Sequence, residues 1–202
     1  MVVLGLGNPG DEYTDTRHNC GFKVVDYLGE KTGIELKKKF FKKYIYGKGV
    51  FNGKEVFNGK EVFLVKPLTF MNLSGNVIRD VLKAADCTTK DLIVVCDNMD
   101  LFPGVLRIKK GGGDAGHNGL KSILTFAPAN DFLRVYVGIG RPPYSGDVSN
   151  YVLGVPDKID MENIEKAVEK AGDSILSLTH RTAAQVTNEI NAIKNISQRP
   201  GD

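Results

Sequence analysis

Two hydrophobic periods alternate along this chain. Val2-Val3-Leu4-Gly5-Leu6 is a short continuous apolar run that stops at Asn8-Pro9-Gly10, the pattern of a buried strand ending in a turn. From Asn19 to Gly33 the period becomes helical, with Phe22, Val25 and Leu28 on one face and Gly33 placed to end the helix. Strand character returns over 44–66, in Tyr44-Ile45-Tyr46, Val50-Phe51, Val56-Phe57 and Val62-Phe63-Leu64-Val65, with hairpin signals at Asn52-Gly53 and Asn58-Gly59. The hexapeptide Phe-Asn-Gly-Lys-Glu-Val occurs in tandem at 51–56 and 57–62. It is too short for a repeat architecture and reads as a local duplication that lengthens a hairpin and offers it two registers.

The segment 66–72 reads as a loop leading into a helix with Leu73, Val77, Ile78, Val81, Leu82 and Ala85 on one face, capped by Asn72 or Ser74. Leu92 to Cys96 is a buried strand ending at Asp97, and Val105 to Lys109 is another. Gly111 to Gly119 is a flexible loop that opens a short helix carrying Leu120, Ile123 and Leu124. Phe132 to Ile139 is a strand, broken by Arg141-Pro142-Pro143. The stretch from Asp160 to Lys194 is helical, with a stripe through Ile164, Val168, Ala171, Ile175 and Leu178 and a second through Val186, Ile190 and Ile193. Strands alternating with helices, plus one antiparallel hairpin, predict an α/β fold: a single domain with a mixed, twisted sheet flanked by helices.

Length and composition narrow this further. With 202 residues, 42% of them hydrophobic, the chain suits one core and one domain over 1–202, with 195–202 as a flexible tail. Neither a membrane span nor a signal peptide is read, and Cys20, Cys87 and Cys96 lack metal spacing, so they read as reduced thiols of a cytoplasmic protein. The net charge is only +3, but Lys37, Lys38, Lys39, Lys42 and Lys43 crowd around Phe40 and Phe41, and Lys109 and Lys110 precede a glycine run. Such runs read first as solvated surface, with nucleic-acid contact as the functional alternative.

The chemistry lies where strands end. Gly5-x-Gly7-x-x-Gly10 matches a dinucleotide fingerprint, but the polar residues 11–17 carry no helical stripe to open at a pyrophosphate, so an oxidoreductase is disfavoured. His18 and His117 each sit in a loop and each precede an asparagine, while Asp97 ends an apolar strand. A carboxylate beside an imidazole makes an oriented general base. With no serine elbow, and with Cys20 and Cys96 reading as buried, the nucleophile is water. Asn8, Asn72, Asn98 and Asn118 cluster in the same loops and suit a neutral amide or the oxygen of a tetrahedral intermediate. No ligand spacing supports a metal site.

Taken together, these residues resemble the bacterial-type peptidyl-tRNA hydrolase family. The blocks that carry the resemblance are Gly5-Leu6-Gly7-Asn8-Pro9-Gly10, Tyr13-Thr14-Asp15-Thr16-Arg17-His18-Asn19, Lys66 to Gly75, Asp97 with Asp100-Leu101, Gly111 to Lys121, Val137 to Pro142, and Tyr151-Val152-Leu153-Gly154. The resemblance implies one α/β domain and an enzyme that works as a monomer without metal or cofactor. It would cleave the ester between a peptide and the 3′ adenosine of tRNA and so recycle tRNA. It implies His18 as catalytic base, Asp97 as its orienting carboxylate, and Asn8, Asn72 and Asn118 as holders of the peptide and water. It further implies Tyr13 near the terminal nucleotide, Phe70 among the substrate contacts, His117 in a secondary role and Lys109 as a phosphate contact.

The chain departs from the family pattern at Tyr136, where a phosphate-binding arginine is expected; Arg134 lies two residues earlier on the same strand face. Asn98 and Phe102 are further departures. The alternative is a non-catalytic, RNA- or protein-binding relative like the plant organelle splicing factors. Retention of His18, Asp97 and Asn8 favours the enzyme.

Overall fold

Strand β1 (Val2–Gly5) lies in the middle of the sheet, and the rest of the chain is wound around it. The structure is a computed structural model and describes residues 1–50, 61–142 and 147–192. Most of the tandem hexapeptide, both of its Asn-Gly signals and the expected tail 195–202 fall outside these residues.

The other strands are β2 (Lys37–Lys38), β3 (Tyr44–Val50), β4 (Glu61–Pro67), β5 (Leu92–Asn98), β6 (Leu106–Lys110) and β7 (Leu133–Gly138). Among the described residues they form one seven-stranded sheet in the order β2-β3-β4-β1-β5-β7-β6. The central strands β4, β1, β5 and β7 run parallel, β3 on one side and β6 on the other run opposite to them, and β2 pairs antiparallel with β3 at the edge. The sequence announced one antiparallel hairpin. The sheet has an additional antiparallel edge at β6, where pairing through the backbone leaves no side-chain signature.

The helices are α1 (Cys20–Thr32), α2 (Ile78–Ala84), α3 (Asn118–Phe126), α4 (Val148–Val152), α5 (Lys158–Ser177) and α6 (Ala183–Ala192). They cover both faces of the sheet, which is why β1 reads as a continuous apolar run: Val2, Val3 and Leu4 are fully buried. Val3, Leu64, Ile93 and Val95 meet α1, α5 and α6 on one face through Val24, Ile164, Ile175 and Val186. Val2, Leu4, Val65 and Val94 meet α2 and α3 on the other through Ile78, Val81, Leu120 and Ile123.

Two local readings are corrected. The expected helix after residue 72 begins as a 3-10 segment over Met71–Val77, becoming α-helical only at Ile78; neither Asn72 nor Ser74 caps it, and Leu73 is half exposed. The two periods share their i, i+3 neighbours, so apolar spacing alone does not separate them. The helical stretch from Asp160 divides into α5 and α6, because residues 178–182 leave the helix between the two stripes. Gly33 ends α1 in the left-handed conformation, as its position implied.

The glycine motif has a packing explanation. A Cβ on Gly5 would lie 2.2 Å from the carbonyl oxygen of Gly21, so only glycine lets α1 sit this close to the sheet. No helix opens at Gly10; a 3-10 turn over Asp11–Tyr13 follows instead, and α1 starts at Cys20. The dinucleotide reading fails on structure as it did on sequence.

Candidate active site

The carboxyl ends of β1, β4 and β5 meet at one edge, where the order of parallel strands reverses around β1. Open α/β sheets bind ligands at such switch points. The chain folds so that Asn8 follows β1, Phe70 to Asn72 follow β4, and Asp97 lies near the end of β5. Together with His18, His117 and Asn118 they line a cleft of about 310 Å³.

Asp97 is the hub. His18 Nδ1 lies 2.7 Å from Asp97 Oδ1, and His117 Nε2 lies 3.0 Å from the same oxygen. The imidazole rings are 4.9 Å apart, centroid to centroid. Tautomers follow from the remaining bonds. His117 Nδ1 accepts the backbone N–H groups of Gly119 (3.1 Å) and Leu120 (3.3 Å), capping α3. Its hydrogen is therefore on Nε2, donated to Asp97. His18 spends its Nδ1 hydrogen on the same carboxylate, which leaves its Nε2 lone pair for the cleft. Burial by itself would push the Asp97 carboxyl up. The electrostatic attraction of the His18 and His117 rings and the hydrogen bonds they donate outweigh it and hold the group well below the usual carboxylate range.

Asn8 is oriented as firmly. Its Oδ1 accepts the Met71 N–H at 2.7 Å, which turns its Nδ2 donor to the cleft it lines. Its backbone is clamped by Asn19, whose Oδ1 accepts the Asn8 N–H at 2.8 Å and whose Nδ2 donates to the Asn8 carbonyl at 3.0 Å. Sequence reading gave Asn19 no role of its own, although its place after His18, mirrored by Asn118 after His117, was a usable signal. Phe70 and Asn72 are exposed after β4, and Asn118 begins α3, which packs against the Met71–Val77 segment, so that Gly119 approaches Met71 closely.

Two expected residues stand apart. Tyr13 is half-buried in its 3-10 turn, and Lys109 is exposed on β6; neither lines the cleft. Lys109 Nζ instead reaches over the glycine loop, 3.1 Å from where a Cβ on Gly112 would stand. The sequence also gave no helix over Val148–Val152, yet α4 closes one side of the cleft with Val148 and Val152. Arg17 ties α4 to the element bearing His18: its Nη1 donates to the carbonyls of Tyr151, Gly154 and Val155, and its guanidinium stacks 4.3 Å over the Tyr151 ring.

Arg134 is fully buried. It donates to the Gly112 and Gly113 carbonyls, Asn130 Oδ1 and the Tyr136 hydroxyl, and so holds the loop that leads to His117. Among the described residues, His18, Asp97 and His117 are the group whose donor atoms converge closely enough to hold a metal, within 4.8 Å of one another. Each histidine nitrogen that faces Asp97 is hydrogen-bonded to it, the arrangement of an oriented base. Burial pushes the Cys20 and Cys96 thiols well up, which keeps them protonated and poor nucleophiles.

Fold and site thus define the class: a doubly wound α/β protein with a histidine–aspartate cleft at the switch point of its sheet. The peptidyl-tRNA hydrolase family model matches residues 2–199. The peptidyl-tRNA hydrolase of Bacillus subtilis is 41% identical over 192 residues, 95% of this chain and 98% of that one. The Clostridium perfringens enzyme is 39% identical over 193 residues, 96% and 98% of the two chains. A crystal structure of peptidyl-tRNA hydrolase from Acinetobacter baumannii superposes with a TM-score of 0.85 at 36% identity, covering 95% of this chain and 94% of that one. The chain belongs to the peptidyl-tRNA hydrolase family.

Proposed function

We propose that this protein hydrolyses the ester joining a peptide to the 3′ end of tRNA. The observation that carries the reading is the 2.7 Å bond from His18 Nδ1 to Asp97, which leaves Nε2 as a base facing the cleft. His18 takes a proton from water as the water oxygen attacks the ester carbonyl, and Asp97 steadies the imidazolium that forms. The Asn8 Nδ2 donor polarises the carbonyl and stabilises the oxyanion. The ribose hydroxyl then leaves with the proton that His18 returns.

Asn72 and Asn118, both lining the cleft, meet the amides of the peptide. A free aminoacyl group presents an ammonium where an N-blocked one presents an amide, and carboxamides that pair with that amide favour N-blocked substrates. His117 secures Asp97 and the start of α3, Phe70 supplies an apolar wall, and Lys109 and Tyr13 contact the RNA outside the cleft. The cleft is complete within one chain, which supports action as a monomer. Translation supplies the substrate, which makes the cytoplasm the place of action.

The test is hydrolysis of N-acetyl-aminoacyl-tRNA beside free aminoacyl-tRNA, with wild type and His18→Ala in parallel. Cleavage of the blocked substrate alone is expected, with a loss of about 10²–10⁴-fold in the variant. Near-normal turnover by folded His18→Ala would remove His18 from the base role. No cleavage by folded wild type would favour a binding role.

A further inference from the structure

The turn between β2 and β3 is built at odds with the rest of the fold. The Lys42 N–H bonds the Lys39 carbonyl at 3.1 Å, which puts Phe40 and Phe41 at the tip of a tight turn. Phe41 has φ +66, a left-handed conformation that glycine or asparagine adopts far more readily than a bulky residue. Among the described residues, no packing against the rest of the fold compensates. Phe40 is 87% exposed and Phe41 93%, and their main aromatic contact is with each other, edge to face at 4.4 Å.

The charge around the tip is uneven. Lys37 pairs with Glu35 and Lys42 with Asp80, but Lys38, Lys39 and Lys43 have no acidic partner among the described residues. The turn also adjoins the cleft. Tyr44 pairs with Pro67 in the sheet, and the Lys43 carbonyl accepts the Leu68 N–H at 2.8 Å, two residues before Phe70. The tip therefore stands at the carboxyl edge, two strand spacings, or about 10 Å, from β1.

We infer that this turn is a second RNA-binding surface: Phe40 and Phe41 stack on an unpaired base of the tRNA, and Lys38, Lys39 and Lys43 meet its phosphates. The inference rests on the peptidyl-tRNA reading above. Exposed flat rings among unpaired ammonium groups are the combination that binds nucleotides without base specificity. The tip lies outside the cleft, so it meets RNA beyond the terminal adenosine. The side chains there are cationic donors and aromatic rings, which match phosphates and bases rather than the mixed donors and acceptors of a peptide.

The test uses Phe40→Ala combined with Phe41→Asn, since asparagine tolerates the left-handed backbone, and separately Lys38→Gln with Lys43→Gln. Fluorescence anisotropy with deacylated tRNA reads binding without catalysis. The aromatic variant is expected to weaken Kd about tenfold, the loss of one stacked base. KM for N-acetyl-aminoacyl-tRNA should rise in step, with kcat kept and no fall in Tm. The lysine variant is expected to flatten the salt dependence by one to two phosphate equivalents, roughly 0.7 to 1.4 in the logarithmic slope. Hydrolysis of N-acetyl-aminoacyl-adenosine, which lacks the RNA, should not change. A Kd within twofold of wild type in the aromatic variant, with an unchanged salt slope in the lysine variant, would overturn the inference. So would an equal loss on the adenosine ester, which would assign the patch to the acyl end. If wild type cleaves nothing, the hydrolase reading falls, while the anisotropy comparison still decides the patch.

Discussion

Both histidines bond the same oxygen of Asp97, and this makes the consequence of Asp97→Asn unusually specific. The carboxamide oxygen of asparagine can occupy the Oδ1 position and accept from His18 Nδ1 and His117 Nε2, as the carboxylate does at 2.7 and 3.0 Å. Geometry and tautomer then survive and only the charge is lost. A charge-assisted hydrogen bond exceeds a neutral one by about 1–1.5 kcal/mol, which sets a floor of about tenfold on the loss of kcat. Full Coulomb support of an imidazolium about 4 Å away, at an effective dielectric of about 20, is about 4 kcal/mol and sets a ceiling near a thousandfold. Where the substitution instead flips the tautomer of a catalytic histidine, the loss is about 10⁴-fold. Single-turnover hydrolysis of N-acetyl-aminoacyl-tRNA, with near-ultraviolet circular dichroism to confirm the fold, measures the difference. A loss of 10⁴-fold or more in a folded Asp97→Asn protein would refute the shared-oxygen argument, because it would mean that the amide nitrogen faces His18. An undiminished rate would remove Asp97 from the mechanism.

Three other outcomes follow from the same geometry. In Asn8→Asp the carboxylate still accepts the Met71 N–H but offers no donor to the carbonyl, so kcat should fall about 10²–10³-fold with Tm nearly unchanged; equal losses in rate and stability would make Asn8 structural. Arg134→Met strands the Gly112 and Gly113 carbonyls and should cost about 3 kcal/mol in urea unfolding, with Arg134→Lys restoring part of it; an unshifted midpoint would show that the loop does not need the guanidinium. The Asp97 carboxyl is held lower in the folded chain than in the unfolded one, so below about pH 4 the unfolded chain takes up more protons. The stability this group contributes is complete above that range and lost as pH falls. A plot of Tm against pH should therefore be flatter on its acid side for Asp97→Asn than for wild type, and parallel plots would contradict the assignment.

The sequence disclosed the residues that terminate its strongest patterns. Asn8 and Asp97 each end or follow an unbroken apolar run, and a buried parallel strand must deliver its last polar residue to the carboxyl edge. Strand β6 was legible from Leu106 and Ile108, but its antiparallel place at the edge was not, because direction is set by backbone pairing; the two-residue β2, both lysines, carries no apolar period. The wall supplied by α4 was hidden for a related reason: five residues are too few to show a helical stripe, and α4 is held in place by Arg17 through carbonyls that no residue type announces. Resemblance alone drew Tyr13 toward the reacting end, and the fold leaves it in a turn outside the cleft.

The departure at residue 136 now has a physical meaning. Tyr136 is buried on β7, and its hydroxyl accepts from Arg134 at 3.3 Å. Arg134 is on the same face but is fully buried and committed to carbonyls of the glycine loop. Neither presents a free cation to solvent, so these two residues of β7 give no cationic contact to a phosphate. On the proposed reading the charge of a bound tRNA is met elsewhere, and the exposed cations include Lys109 above the glycine loop and the lysines around Phe40 and Phe41. On the inference above, the absence of a solvent-facing arginine at residue 136 places more of the binding on the β2–β3 turn. The salt dependence of tRNA binding should then respond more to Lys38 and Lys43 than to any residue of β7.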